Sequence, residues 1–230
     1  MLTDVVLSGL TNLFALFGSK GELDVPSSRR ILMAYLTRHF GIRNSQQYLD
    51  LYDDLRALYD DSEDLDKETI IAGICHGMEN QLQRSEQSLM LLRLMEFCYS
   101  TPETFRRQGE AFRIVAHHFE VPADVYQDFE DYVSGHESLH VINQHFEGLK
   151  GTIRTLWQPT LNQLVFTYFG KGKVLLNDVP VVHGIFQAWQ QSGVLKFRHS
   201  KPVYYSMVRR VYDVLASDDL SAIHASANVE

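Results

Sequence analysis

The stretch GHESLHVINQHF, residues 135–146, contains the spacing H-E-x-x-H at His136, Glu137 and His140, with His145 close behind. On a helix this spacing places two imidazoles one turn apart on one face, where both can bind one zinc ion. The glutamate can then act as general base on a zinc-bound water. A zinc-dependent hydrolase is therefore one interpretation of the chain, and it requires that residues 136–140 form a helix.

The residues around this motif favour a strand. Gly135 precedes it, and SLHVIN, residues 138–143, alternates like a strand. On a strand, His136 and His140 would lie about 13 Å apart, since each residue advances the chain by roughly 3.3 Å. Two ligands of one zinc ion each lie only about 2 Å from it. We therefore predict that the histidines alternate along the first strand of a β unit, and that the chain has no metal site.

Three other features carry chemistry in principle. GKGK, residues 170–173, is no P-loop because Thr167 stands where the first glycine is needed and Val174 where a hydroxyl is needed, so it predicts a hairpin turn. The acidic stretch DDSEDLD, residues 60–66, lacks the spacing of a calcium loop and predicts a solvated connection. Cys75 and Cys98 lie in apolar periodic segments, which predicts reduced core thiols.

The overall composition excludes two further classes. A net charge of −8 argues against a nucleic-acid-binding surface, which needs a clustered basic face. The sequence has no run of 18 apolar residues, so we expect no direct membrane insertion. Its first residues, MLTDVVLSGL, lack the basic start of a secretory signal.

The elements that must position these residues divide into two groups. Up to about residue 133, apolar residues recur at helical spacing, and caps and glycines separate seven predicted helices. Ser27 or Ser28 is the predicted cap of the second helix. One long helix is predicted from Thr101 to about Phe119. From about residue 138, short segments rich in β-branched and aromatic residues predict an all-β unit. The segment SMVRRVYDVLAS, residues 206–217, predicts a helix that closes it.

A faint repeat lies within the helical part. LTRHFGIRNSQQYLDLY, residues 36–52, parallels VAHHFEVPADVYQDFE, residues 115–130. Each has His-Phe at a helix end, an aliphatic residue two positions later, and then a helix with an inward tyrosine, Tyr48 or Tyr126. This shared pattern indicates internal duplication.

The chain also resembles a known arrangement of domains. LTRHFGI and FRIVAHHFEVPADVYQDFEDYV resemble TerB-like (tellurite-resistance type) helical domains. EGLKGTIRTLW, QLVFTYFGKGKVLLNDVPV and KPVYYSMVRRVYD resemble the small forkhead-associated-like β unit that precedes the ATPase domain in large bacterial ABC-type proteins. The L-N-G-x-P turn of that unit is matched by residues 176–180, and its K-P-I-Y-Y-S ending by residues 201–206. The tail AIHASANVE resembles the strand that begins the ATPase domain.

The resemblance implies an α+β chain in three parts. These are a TerB-like helical bundle at 1–135, a small sandwich-like β domain with a closing helix at 136–216, and a linker toward an ATPase domain at 217–230. It implies a non-catalytic regulatory region of a bacterial ABC-type transport ATPase, on the cytoplasmic side of the inner membrane. Its partners would be its own ATPase and membrane domains or another protein, and ATP and Mg²⁺ would bind only downstream.

The resemblance also has departures that limit what it implies. FGSKGELDVPSS, residues 17–28, and CYSTPETFRR, residues 98–107, lack the acidic loop with which TerB-like domains can hold a metal. A stand-alone phosphopeptide-binding module is an alternative, and its candidate residues are Asn177, Arg198 and Ser200, by residue type only.

Overall fold

The structure is a computed structural model. It describes residues 3–39, 41–42, 44–99, 102–145, 150–176, 179–181, 183–189, 192–197, 203–208 and 211–216. The chain divides into two compact units, Met1–Ser134 and Gly135–Glu230. The first is helical and the second is built from antiparallel strands, which confirms the predicted α+β class.

Eight α-helices are described in the first unit. They are α1 (Asp4–Gly18), α2 (Val25–Ala34), α3 (Gln46–Asp61), α4 (Lys67–Glu79), α5 (Arg84–Cys98), α6 (Pro102–Arg107), α7 (Gly109–His118) and α8 (Ala123–Ser134). A π-helical turn, Tyr35–His39, continues α2. In both α1 and α5 ten of fifteen residues are buried, so these two helices form the centre of the bundle.

Aromatic side chains join the central helices. Phe14 of α1 lies 4.5 Å from Phe97 of α5, between ring centroids, and stacks on Tyr35 at 5.7 Å. Phe17 stacks on Phe112 of α7 at 5.1 Å. All five rings are buried, and such pairs each stabilise a core by about 1 kcal/mol beyond the area that they bury.

Two details of the predicted helices are wrong. Asp24, rather than Ser27 or Ser28, caps α2, because its carboxylate accepts a hydrogen bond from the Ser27 amide at 3.0 Å. The predicted helix over 101–119 is two helices, α6 and α7. They separate at Gln108, whose buried amide Nε2 donates to the Phe17 carbonyl at 3.3 Å.

The two halves of the predicted repeat share one backbone feature. Gly41 and Glu120, the residues that follow His-Phe, both have left-handed φ values, +65° and +49°. The next amide then bonds back into the helix in each half: Ile42 N donates to the Leu36 carbonyl and Val121 N to the Ala116 carbonyl, both at 2.9 Å. This arrangement ends a helix by satisfying a carbonyl of its last turn.

Nine strands are described in the second unit. They are β1 (Val141–Gln144), β2 (Lys150–Gln158), β3 (Gln163–Lys171), β4 (Val174–Leu176), β5 (Val179–Pro180), β6 (Gln187–Trp189), β7 (Ser192–Phe197), β8 (Val203–Val208) and β9 (Val211–Ala216). One sheet has the order β1-β2-β3-β6 and the other β5-β4-β7-β8-β9. The pairs Val141–Leu156 and Ile153–Tyr168 set the register of the first sheet and are buried.

The predicted closing helix is wrong. Residues 203–208 and 211–216 are strands β8 and β9, in which Val208 pairs with Val211 and Ser206 with Asp213. Valine and tyrosine recur through this segment, and β-branched and aromatic residues fit a sheet surface well. Pairing with β7 therefore outweighs the helical spacing of the local sequence.

GKGK does not form the predicted hairpin turn. Residues 170–173 end β3 and lead into β4, and these two strands belong to different sheets. Gly172 has φ +115°, and its carbonyl lies 2.9 Å from His183 Nε2. The glycine therefore serves a change of sheet, which the local sequence does not distinguish from a hairpin.

Candidate functional site

The clearest candidate site in the helical unit lies along α1. From residue 5 to residue 18, the residues of α1 that are not buried are Val5, Ser8, Gly9 and Asn12. Their spacing of i, i+3, i+4 and i+7 places them on one face of the helix. The helix is buried on its other faces, so this stripe is the part of a central helix that the bundle leaves accessible.

This stripe is the floor of a groove of about 530 Å³, whose walls come from α3 and α4. Leu51 and Leu55 of α3 line one side, and Ile70 and Ile74 of α4 line the other. These four side chains are half-buried. We call this surface the α1–α3–α4 groove. It is apolar and lies wholly within one unit.

Two glycines of α4 also line the groove. Gly73 and Gly77 lie one turn apart, and a β-carbon built on either would meet nothing within 4 Å. Gly9 on the floor differs, since a β-carbon there would lie 2.5 Å from Met78 Sδ. Gly9 therefore permits the packing of α1 against α4, whereas no packing among the described residues requires Gly73 or Gly77.

A buried polar cluster fixes the rotation of α3. The Arg56 side chain is 5% exposed; its Nη1 donates to Ser28 Oγ at 3.1 Å and its Nη2 donates to the Leu23 carbonyl at 2.6 Å. Arg56 Nη1 also donates to the Tyr52 hydroxyl at 3.0 Å, and Asp60 lies 3.7 Å from Arg56 Nε. Because Arg56 and Tyr52 face the interior, the preceding leucines of α3 face the groove.

Two tyrosine hydroxyls fix the distance between the floor and this wall. Tyr48 donates to Asp4 Oδ1 at 2.7 Å, and Tyr59 donates to Asn12 Oδ1. Burial is the main reason that the pKa of each tyrosine is raised, so both hydroxyls stay protonated donors at neutral pH. The groove is thus held at both ends of α3.

The α3 wall and the connection that follows it are strongly acidic. Residues 50–68 include nine acidic and two basic residues, a formal charge of −7 against −8 for the whole chain. Arg56, one of the two bases, points into the bundle. Asp54, Asp61, Glu63 and Asp64 are exposed. The α3 wall and the connection after it therefore form a segment in which acidic residues strongly outnumber basic ones.

The H-E-x-x-H stretch lies in the connection that opens the second unit. Residues 135–140 form neither a helix nor a strand, and β1 begins only at Val141, so the prediction that the histidines alternate along this strand is wrong. The Glu137 carboxylate accepts a hydrogen bond from Asn143 N at 3.1 Å, and Ser138 N donates to the Val141 carbonyl at 3.0 Å. The connection therefore folds back on β1, and the helix that a zinc-binding H-E-x-x-H needs does not form here.

Arg154 of β2 explains the glycine before this stretch. Its Nε donates to Asn143 Oδ1 at 3.0 Å, and its guanidinium lies 4.7 Å from the centroid of the Phe169 ring. A β-carbon on Gly135 would lie 2.9 Å from Arg154 Cζ, and Gly135 has φ +84°. Gly135 is thus required by its left-handed backbone, and a larger residue there would also displace the Arg154 guanidinium.

Three further predictions from the sequence concern the phosphopeptide candidates, the acidic connection and the two cysteines. Asn177, Arg198 and Ser200 lie outside the described residues. In the acidic connection, Asp66 caps α4 by accepting from Thr69 N at 3.1 Å. Cys75 and Cys98 are free and buried, and burial raises the pKa of Cys75 to about 12 and that of Cys98 well above its ordinary value.

Broader searches add three findings. Among the residues that the structure describes, no three His, Cys, Asp or Glu side chains come together as a metal site. Within the same parts of the chain, no helix combines the length and the apolar character needed to cross a membrane. Comparisons with protein-family models, with curated proteins and with solved structures find no match to this chain.

Sequence reasoning missed the groove, although two signals pointed to it. Gly73 and Gly77 are four residues apart inside a predicted helix, where glycine is unfavourable and needs a reason. The acidic run of residues 50–68 flanks that helix. Neither signal shows which helices meet, so the floor on α1 could not be inferred from them.

Proposed function

We propose that this chain is a non-catalytic protein-docking region. One observation carries the proposal: the α1–α3–α4 groove, whose walls carry Leu51, Leu55, Ile70 and Ile74, is an apolar surface open to solvent. Apolar surfaces of this kind, rimmed by polar residues, mark interaction sites in soluble proteins. Val5 on the groove floor is 49% exposed, and burying it in a complex would remove apolar area from water.

The resemblance to the region before the ATPase domain of bacterial ABC-type proteins supports a regulatory role. In this proposal the chain acts within a transport ATPase on the cytoplasmic face of a bacterial inner membrane. Docking on its own ATPase domain, or on a partner protein, would couple a signal to transport. ATP and Mg²⁺ would be bound downstream, by residues that are not in this chain.

The proposal is tested on the parent gene and its product. We expect a G-x-x-x-x-G-K-[ST] motif within about 60 residues after Glu230. The downstream region, purified separately, should bind the 230-residue chain saturably in calorimetry. A parent gene without that motif would contradict the transport assignment, and a downstream region that does not bind would contradict docking on the chain's own ATPase domain.

The phosphopeptide alternative has its own test. Phosphothreonine peptides are titrated into the chain, with unphosphorylated peptides as the control. Saturable binding that is lost in Arg198→Ala or Asn177→Ala would replace the docking proposal by that alternative. Equal behaviour of both peptide sets would leave the docking proposal standing.

A further inference from the structure

We propose that the α1–α3–α4 groove binds a cationic amphipathic helix of a partner protein. Apolar side chains of that helix would cover the stripe on α1, and its lysine and arginine side chains would face the acidic residues of the α3 wall. This inference rests on the proposed docking function and names the class of its partner.

The shape of the groove favours a helix as the occupant. Its floor and both walls are helices, and helices pack with their axes about 8–10 Å apart, so a fourth helix can contact all three. α4 has 13 residues and is therefore about 20 Å long, which about four turns of a partner helix would match. Amphipathic helices bind such grooves through apolar residues at i, i+3, i+4 and i+7, which is also the spacing of the stripe on α1.

The glycines of α4 support close approach by a second backbone. Glycine inside a helix costs about 1 kcal/mol of stability relative to alanine, and no described residue lies within 4 Å of a β-carbon built on Gly73 or Gly77. Small residues one turn apart let another helix lie close to the backbone. An occupant of the groove would therefore give these glycines a use.

The negative charge of the α3 wall favours a partner helix with positive charge. Asp54 and Asp61 lie next to Leu55 and Leu58 along α3, and all four residues lie within the segment of charge −7. Leu58 is 60% exposed and extends the apolar face beyond Leu51 and Leu55. A cationic helix gains attraction from this segment, whereas a second copy of the chain would bring a like-charged segment toward it.

The test uses the full chain and two designed peptides. Each peptide has about 18 residues, with leucines at i, i+3, i+4 and i+7, which is long enough for a marginal helix in water. One carries lysine at its polar positions and the other glutamate. Binding of the labelled peptides is measured by fluorescence anisotropy at low and high salt, because screening weakens attraction between exposed charges.

We expect the lysine peptide to bind at least about tenfold more tightly than the glutamate peptide, a difference of about 1.4 kcal/mol. Gly73→Leu fills the groove and should weaken binding of the lysine peptide by a similar factor. Gly109→Leu is the matched control, since Gly109 lies in α7 and a β-carbon there also meets nothing within 4 Å. Circular dichroism checks that both variants fold, and Gly77→Leu replaces Gly73→Leu if that variant unfolds.

A second pair of variants tests the charge. Asp54→Asn with Asp61→Asn should weaken binding by roughly threefold and reduce its dependence on salt, as expected for exposed charges. Glu103→Gln with Glu110→Gln removes two exposed carboxylates from α6 and α7 and should change neither quantity. Equal binding of the two peptides, or wild-type affinity in both Gly73→Leu and Gly77→Leu, overturns the inference. Dimerisation of the chain that Gly73→Leu abolishes would overturn it in favour of a second copy.

The same measurements separate this inference from the proposed docking function. If the chain binds its downstream region but the lysine peptide neither binds nor competes, the cationic helix is wrong and docking stands. If the lysine peptide binds in the groove but the downstream region does not bind, docking on the chain's own ATPase domain is wrong and the class of partner stands.

Discussion

Along α3, Tyr52 and Arg56 face the interior of the helical unit, whereas Leu51, Leu55 and Leu58 line or flank an open groove. A charged side chain, Arg56, is thus buried on one side of this helix, whereas three leucines on the other side stay accessible, and both are exceptions to the usual arrangement. The interior cluster is tolerated because Arg56 Nη1 and Nη2 donate to Ser28, Tyr52 and the Leu23 carbonyl, and only Nε, 3.7 Å from Asp60, lacks a hydrogen bond. The two sides therefore differ in what they contribute: the interior side contributes stability, and the groove side an accessible apolar surface.

The largest expected effect is at Arg56. Arg56→Ala leaves the Leu23 carbonyl without its 2.6 Å donor and removes the hydrogen bonds to Ser28 and Tyr52; hydrogen bonds to charged groups contribute about 1.5–3 kcal/mol each, so we expect a total loss of about 3–5 kcal/mol. Urea unfolding should show this loss in the free energy of unfolding. Arg30→Ala is the control, because Arg30 is exposed on α2 and should change that free energy by less than about 0.5 kcal/mol. An Arg56→Ala variant as stable as the wild type would remove the distinction between the two sides.

The same substitution on two sides of α3 gives the next contrast. Leu49 is 3% exposed, and Leu49→Ala should cost about 2–5 kcal/mol because it leaves a cavity. Leu58 is 60% exposed, and Leu58→Ala should cost less than about 0.5 kcal/mol. Both are measured by thermal and urea unfolding. Comparable losses in the two variants would mean that the groove side is part of the core.

A pH titration tests the interior side of α4, where Cys75 lies. Burial raises the pKa of Cys75 to about 12 from an ordinary value of 9.0, and Cys98 is shifted in the same direction. The unfolded chain therefore loses these protons first, so this stability is complete below pH 9 and falls as the pH rises toward 12. At pH 10 the loss from Cys75 is about 1.4 kcal/mol, and Cys98 adds to it in the same direction.

Between pH 9 and pH 10 the fall in stability reports mainly on the cysteines. At higher pH the buried tyrosines also contribute, because burial raises the pKa of residues such as Tyr35 above the ordinary value of 10.0. Urea unfolding at pH 8 and pH 10 gives the fall in stability. In Cys75→Ala the fall in the free energy of unfolding between pH 8 and pH 10 should be smaller by the contribution of Cys75. A loss of packing lowers the stability equally at both pH values and does not change this difference. An unchanged fall would show that Cys75 is not shielded from solvent.

The smallest expected effect is on the groove side of α4. Gly73→Ala and Gly77→Ala should each stabilise the chain by about 0.5–1 kcal/mol, because alanine favours the helix and its β-carbon meets nothing within 4 Å. The same variants should bind the lysine peptide more weakly than the wild type. Gly9→Ala is the opposite case, since its β-carbon would meet Met78 at 2.5 Å, and it should destabilise. A loss of stability in Gly73→Ala would mean that α4 needs this glycine for its own packing.

The helical unit could be predicted from sequence more fully than the β unit, for a physical reason. Apolar periodicity and caps are local, so the sequence predicts a helical unit up to about residue 133. It does not predict the break at Gln108, which depends on a hydrogen bond to Phe17, distant in sequence. Strand pairing is not local. The segment 206–217 therefore suggested a helix although it pairs as β8 and β9, and residues 170–173 suggested a hairpin although their strands enter different sheets.

The candidate site was less predictable still. Its leucines and glycines are ordinary helix residues in the sequence, and only the packing of α1 between α3 and α4 makes them a groove. The H-E-x-x-H motif is the opposite case, because the sequence suggested a site there and the structure does not form one. It suggested chemistry, but Glu137 accepts a bond from the Asn143 amide and the residues around it do not form a helix.

The connection between α8 and β1 should also allow the two units to be separated by a protease. Leu139 is 89% exposed between α8 and β1, in a stretch outside any regular element, and such sites are where proteases cut first. Brief digestion with a protease that cuts after leucine should release fragments ending and beginning near residue 139. Isotope-labelled samples of each could then be studied separately by NMR.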